Sequence, residues 1–181
     1  MILLQSHQGQ LSGNKIKLYN NMSNIKIRKA VLNDANEIAN VLLDFYNMED
    51  HEEAKKVFID EQKKDFYYLL AVEDGRVLGL VTWVSHGLPK HGLFELDRIC
   101  IMTNARGKGI GKKLVNELID DAHHWYKKRN EEARKLYLLT HEDNKNAHTF
   151  YEKVGFVHEA TLKSHYYNDQ EERVYSIFLK S

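Results

Sequence analysis

Apolar and charged residues first alternate at Ile25-Lys26-Ile27-Arg28, the pattern of a half-buried strand. Residues before it, 1–24, are rich in Gln, Asn, Ser and Gly, keep no period, and read as a flexible tail outside a single domain over 25–181. Asn33 precedes Asp34-Ala35-Asn36-Glu37, a cap with acids in the first turn, and Ile38, Val41, Leu42 and Phe45 form the stripe of the helix behind it. A second, more polar helix is predicted from Glu52 to Lys64. Strands follow at Phe66 to Val72 and Val77 to Val84, joined by the turn Glu73-Asp74-Gly75-Arg76. Pro89 lies in the loop before a strand from Leu93 to Ile101. A glycine-rich loop then opens a long amphipathic helix, Gly109 to Arg129, striped by Ile110, Leu114, Leu118, Ile119 and Trp125. A short strand at Leu136 to Thr140, a helix from Asn144 to Val154 ended by Gly155, and strands at Phe156 to Leu162 and Arg173 to Leu179 complete the chain. The order β-α-α-β-β-β-α-β-α-β-β predicts an α/β fold with a mixed, mostly antiparallel sheet flanked by helices.

Composition narrows the function. The 181 residues carry zero formal net charge, with 43% hydrophobic and 29% charged residues, so no overall pull toward nucleic acid is expected. The single cysteine, Cys100, permits no intrachain disulfide and fits a reducing compartment. Neither a membrane span nor a secretory leader is read, and the expected location is the cytoplasm. Whether the chain pairs as a homodimer is left open.

The most informative stretch is Arg106-Gly107-Lys108-Gly109-Ile110-Gly111-Lys112-Lys113, between a strand and a helix. Glycines permit positive φ and close approach of backbone, and amides at a helix start cradle anions. A Walker loop is excluded because Arg106 stands where its first glycine belongs and Lys113 replaces the magnesium-binding Ser or Thr. A dinucleotide fingerprint is excluded because Lys112 occupies its third glycine position. What remains is a tight turn with basic flanks, or a site that holds pyrophosphate without a metal, as coenzyme A requires.

Arg106-Gly107-Lys108-Gly109-Ile110-Gly111 resembles the Arg/Gln-x-x-Gly-x-Gly/Ala signature of the GNAT N-acetyltransferases. Asn144-Lys145-Asn146-Ala147-His148-Thr149-Phe150-Tyr151-Glu152-Lys153-Val154-Gly155-Phe156 resembles their second signature, Asn-x-x-Ala-x-x-Φ-Tyr-x-x-x-Gly-Phe, with Φ apolar. The resemblance implies two central strands that splay apart, with the pantetheine arm of acetyl-CoA pairing with Ile99, Cys100 and Ile101. It implies pyrophosphate on the amides from Gly107 to Lys112, and Asn144 on the cofactor arm. Lys112 and Lys113 could meet phosphates or only solvent.

In such enzymes a neutral amine attacks the thioester directly, so the amine loses a proton and the departing thiolate gains one. A thiol titrates near about 8.5 and a tyrosine near about 10, which makes a tyrosine a workable acid. Tyr151 matches the family's acid position; its alternative role is a core aromatic beside Phe150. Glu95 matches the base of histone-type members, against the reading of a solvated strand carboxylate. Strand alternation places Glu95, Asp97 and Ile99 on one face, where Asp97 could polarise a water, and sends Cys100 to the other. His141 is a second base candidate. A covalent cysteine route is not expected, since Cys100 lacks a base partner.

Gly155-Phe156-Val157-His158-Glu159-Ala160-Thr161-Leu162, leading into Tyr166-Tyr167, resembles a segment of ribosomal-protein alanine N-acetyltransferases, where the tyrosine pair helps bind a substrate's N-terminal peptide. A peptide α-amine titrates near about 7.7 to 8.0 and needs only a weak base. That subfamily places a Glu or His base five residues before the motif asparagine; here the position is Leu139. The acceptor expected is therefore a protein N-terminal α-amine or a small amine. The alternatives are a polyamine, which the acids at Glu95, Asp97 and the cluster Glu49, Asp50, Glu52 and Glu53 would suit, or a non-catalytic acyl-CoA sensor. No metal is called for.

Overall fold

A computed structural model describes residues 24–179. The tail expected over residues 1–24 lies outside the described residues, except for Asn24. Seven strands form one sheet in the order β1-β2-β3-β4-β5-β7-β6: β1 (Lys26–Lys29), β2 (Tyr67–Glu73), β3 (Arg76–His86), β4 (Leu93–Ile101), β5 (Lys135–His141), β6 (Val157–Lys163) and β7 (Glu171–Phe178). Four helices flank it: α1 (Ala35–Phe45), α2 (His51–Gln62), α3 (Ile110–Lys127) and α4 (Lys145–Lys153). Every neighbouring pair of strands is antiparallel except β4 and β5, which the α3 crossover makes parallel. The expected α/β class and mixed sheet are observed.

The faces of the sheet have separate cores. Ile38 and Leu42 of α1 and Ala54 and Phe58 of α2 cover one face, over Leu70, Leu80 and Cys100. Leu114, Leu118 and Tyr126 of α3 and Tyr151 of α4 cover the other, over Leu69, Val81, Trp83, Phe94 and Leu96. The apolar stripe of α3 leaves its expected track in the last turn. Fully buried Tyr126 replaces Trp125 and donates its hydroxyl to the Leu93 carbonyl at 2.7 Å, because a polar tip can be buried only where it finds an acceptor. Asn33 does not cap α1. A 3-10 turn over Leu32–Asp34 precedes that helix, and Asp34 is held by both guanidinium nitrogens of Arg28 at 2.7 Å and by the Val31 amide. Helix α2 is capped as its acidic start requires, Asp50 accepting from the Glu53 amide at 2.9 Å.

Two irregularities shape the middle of the sheet. The parallel pairing of β4 with β5 covers only Leu93, Phe94 and Glu95, opposite Lys135, Leu136 and Tyr137. Beyond Glu95 the two strands diverge, β4 continuing against β3 and β5 against β7. The second is a β-bulge. Thr82 faces Arg98 while Trp83 faces Leu96, so Asp97 is an extra residue without a partner on β3. An extra residue inverts the alternation beyond it. This corrects the expectation for β4: Ile99 packs with the α3 core, on the opposite face from Glu95, whereas Cys100 joins the α1–α2 core on the face of Glu95.

Candidate active site

The glycine loop takes the shape its residues anticipate. After a 3-10 turn at Thr103–Ala105, Gly107 and Gly109 have φ of 77° and 74°, in the left-handed region, and nothing lies within 4 Å of where a Cβ would stand. Gly109 is the N-cap of α3, and no side chain caps the amides that follow, so they open to solvent beside a helix N-terminus. Gly111 is glycine for a different reason. A Cβ there would meet Cε2 and Cζ of Phe150 at 2.9 Å, so it lets α3 and α4 approach closely. Lys108, Lys112 and Lys113 are exposed, and Ile110 is buried as the first core residue of the helix. Arg106 turns back to its own loop, Nε donating to the Ile101 carbonyl at 3.1 Å with the guanidinium 5.1 Å from the Phe45 ring centre. That carbonyl is therefore partly engaged, while Ile99 and Cys100 lie on the stretch of β4 that β5 has left.

Tyr151 sits on α4, buried at 7% exposure among Phe150, Phe156 and Tyr175. Burial, with the Cys100 thiol adding to it, raises its hydroxyl well above the usual tyrosine range. The proton therefore stays on oxygen at neutral pH. Asn144 is the N-cap of α4, accepting from the Ala147 amide at 3.2 Å, so its carboxamide oxygen has a structural role alongside any contact with a ligand.

Glu95 does not sit as a free strand carboxylate. Its Oε2 accepts from the Tyr137 hydroxyl at 3.0 Å and lies 2.7 Å from His86 Nε2. Asp97, on the bulge, accepts from the Thr82 hydroxyl at 3.1 Å, and its Oδ2 is 3.1 Å from Arg98 Nε. Burial pushes the Asp97 carboxyl up from its ordinary value, and Arg98 opposes this. Arg98 is itself gripped by both carboxylate oxygens of Glu61 at 2.8 and 2.9 Å, anchoring the end of α2 to β4.

His141, at the end of β5, is not a free base: its Nδ1 lies 2.7 Å from Oε1 of Glu172, a residue only 1% exposed. The two atoms are off-line for a hydrogen bond and neither has another partner among the described residues. Tyr166 and Tyr167 are both exposed, in the loop closed by the bond from the Ser164 amide to the Gln170 carbonyl. Tyr167 lies over His141, ring centres 5.9 Å apart. Partial burial raises the Tyr166 hydroxyl, and the negative charges of Glu95, Asp97 and Glu172 add to the shift. Of the expected candidates, Glu95 stands at the last β4–β5 pair, Asp97 on the bulge just beyond it, and Tyr167 packs on His141 at the end of β5.

Sequence reasoning missed His86, Tyr137, Glu61 and Glu172. Tyr137 had a readable signal, since alternation along β5 puts it opposite the buried Leu136 and Leu138. Glu172 had none: in Glu171-Glu172-Arg173 it reads as one more solvated charge. No described helix is long and apolar enough to cross a membrane, and the described residues contain no cluster of three His, Cys, Asp or Glu arranged to hold a metal.

A splayed mixed sheet with an uncapped glycine turn at the mouth defines an acyl-CoA-dependent transferase. Residues 35–156 match the Acetyltransferase (GNAT) family. The chain belongs to this family, whose acetyl donor is acetyl-CoA. A spermine/spermidine N(1)-acetyltransferase of Bacillus subtilis is 31% identical over 113 residues, 58% of this chain and 69% of that protein. Among solved structures, an N-acetyltransferase from Staphylococcus aureus superposes with a TM-score of 0.68 at 26% identity, covering 87% of this chain and 100% of that one. A ribosomal-protein-alanine N-acetyltransferase from Brucella melitensis has a TM-score of 0.66 at 21% identity, covering 85% and 99%. At that identity the last shares the fold alone.

Proposed function

We propose that this acetyltransferase acts on a small polycationic amine of the polyamine class. The observation that carries the reading is a pair of carboxylates at the splay: Glu95, at the last β4–β5 pair, and Asp97, on the bulge two residues further along. Two carboxylates beside the splay favour an acceptor that brings more than one ammonium group. The Bacillus subtilis relative named for spermine and spermidine points the same way. The expectation of a protein N-terminal α-amine is the less supported reading. Its subfamily base position is Leu139, and the alanine acetyltransferase shares no more than the fold.

In this reading the amides from Gly107 to Lys112 hold the pyrophosphate, since they combine a helix N-terminus with open backbone. The pantetheine arm takes the place along Ile99, Cys100 and Ile101 that β5 vacates, pairing with backbone groups that have lost a strand neighbour. An amino group of the acceptor in its neutral form attacks the thioester carbonyl and gives one proton to Glu95. The C–N bond forms, the C–S bond breaks, and Tyr151 gives its proton to the departing sulfur. Burial keeps that proton on Tyr151 until negative charge has developed on the thiolate.

The test is thiol release from acetyl-CoA with spermine, spermidine and a peptide bearing an N-terminal alanine. The polyamines are expected to exceed the peptide at least about tenfold in kcat/KM, a difference of about 1.4 kcal/mol in transition-state binding. The reverse ranking would overturn the assignment of the acceptor.

A further inference from the structure

The carboxylate of Glu95 is bound asymmetrically. His86 and Tyr137 both meet Oε2, at 2.7 and 3.0 Å, whereas Oε1 has no hydrogen bond among the described residues. The three side chains come from three adjacent strands. Tyr137 is the register partner of Glu95 across the last β4–β5 pair, and His86 pairs with Leu93, which makes it the diagonal neighbour of Glu95 across β3–β4. The Glu95 side chain is 15% exposed and that of His86 40%, so the carboxylate is largely shielded while the imidazole reaches water. His86 and Tyr137 also lie against each other, ring centres 5.6 Å apart.

We infer that His86 and Tyr137 are a positioning pair for Glu95: two donors locked on Oε2 fix the plane of the carboxylate and leave Oε1 as its one free acceptor, turned to the amine. This rests on the reading of Glu95 as the base. A glutamate has three side-chain torsions, and an unheld one samples many directions for its lone pairs. A base works only when its acceptor lies within hydrogen-bonding reach of the proton it removes, and an error of about 1 Å costs about 10²-fold. The pair acts through Glu95 and needs no contact of its own with the acceptor or acetyl-CoA. Its removal acts on kcat and spares binding of the acetyl donor. In balance, Oε1 takes one proton from nitrogen, the nitrogen lone pair forms the new C–N bond, and the pair exchanges no proton with Glu95.

The experiment uses the full chain with acetyl-CoA and the member of the spermine, spermidine and alanyl-peptide panel that turns over fastest. Glu95→Gln is measured first, with a loss in kcat of about 100-fold expected. Unchanged turnover would remove the base, and the pair with it; no thiol release by the unsubstituted protein would remove the function itself. Given an active base, His86→Ala is expected to lower kcat about tenfold and His86→Ala with Tyr137→Phe about 100-fold, with KM for acetyl-CoA within about twofold. His86→Gln, which keeps an N–H donor near the same place, is expected to recover most of the loss. Melting temperature and acetyl-CoA affinity are measured on each variant, so that a misfolded protein is recognised. The pair is overturned if the alanine and double variants keep their kcat, if KM for acetyl-CoA rises in step with the loss, or if glutamine recovers nothing in a folded protein.

Discussion

Glu61→Gln is a demanding test of the polar cluster beneath the bulge, because it removes one charge and almost no volume. Glu61 stands in the last turn of α2, with 15% of its side chain exposed, and grips Arg98, 18% exposed, through two parallel bonds of 2.8 and 2.9 Å. Tyr68 donates to the same carboxylate at 2.5 Å. Breaking a buried ion pair from one side costs about 3 to 5 kcal/mol, since the remaining charge stays buried. Two features reduce that figure here. A fifth or so of each partner is still wet. Asp97 also lies 3.1 Å from Arg98 Nε, where a unit charge at an effective dielectric of about 20 retains roughly 5 kcal/mol of gross attraction. A loss of about 2 kcal/mol is therefore expected, and for a chain of this size it lowers Tm by about 4 to 8 °C.

The same substitution has a functional consequence. Relieved of Glu61, Arg98 neutralises Asp97 more completely and withdraws negative charge from the mouth proposed for the acceptor. KM for spermine should rise about two- to fivefold while KM for acetyl-CoA holds. Differential scanning calorimetry and steady-state kinetics measure the two effects. Lys63→Ala, which breaks the exposed pair with Asp60 on the same helix, serves as the control and should leave Tm in place. A Tm for Glu61→Gln within about 1 °C of the unsubstituted protein would refute the claim that this pair ties α2 to β4.

Tyr151→Phe should lower kcat by about 10²- to 10³-fold, with the calorimetric affinity for acetyl-CoA held within about twofold; unchanged turnover would remove its role as the acid. Burial pushes the Cys100 thiol up to about 12, so in the folded protein at pH 8 it should resist Ellman's reagent and react only in denaturant; rapid native labelling would contradict this placement. The hydrogen bonds from Arg28, chiefly, hold the Asp34 carboxyl below the usual carboxylate range. A lowered folded value means the stabilisation is fully present above the unfolded value of about 3.9 and is lost as pH falls through the folded one. Asp34→Asn should therefore lower the urea midpoint at pH 7, with the gap to the unsubstituted protein closing below about pH 4; a gap independent of pH would refute the linkage.

The glycine turn, Tyr151 on its helix and the element order were legible because each is local. Positive φ at Gly107 and Gly109 depends on neighbours within the turn, and the stripe of α3 on a period of 3.6 residues. Failures arose where one segment's structure is decided by another. Nothing in Leu93 to Ile101 alone marks Asp97 as an extra residue, since a bulge is a mismatch in count between two strands, and Thr82 and Trp83 supply the other half. Assuming unbroken alternation put Ile99 and Cys100 on the wrong faces. His86 was beyond the expected end of β3, and with it went the partner that holds Glu95. Glu172 meets His141 only because β7 inserts between β5 and β6, a placement that chain order does not reveal.

The bulge and the splay together divide one short strand into two halves of different character. Up to Glu95, β4 is flanked on both sides and can hold a carboxylate rigidly between β3 and β5. One residue later it loses β5, and an unpaired strand edge buried in a fold must find other partners for its amides and carbonyls. Had alternation run on unbroken, Arg98 would face the largely apolar α3 core and away from Glu61. The extra residue turns Arg98 instead toward Glu61 and Tyr68 on the α2 side, and it leaves Asp97 in reach of Thr82 beside Glu95. It also carries Ile99 over to fill the α3 core directly ahead of the glycine turn. A single inserted position thus separates the half of β4 that holds Glu95 between two strands from the half whose edge β5 has left, and deleting Asp97 would exchange the two faces of everything that follows.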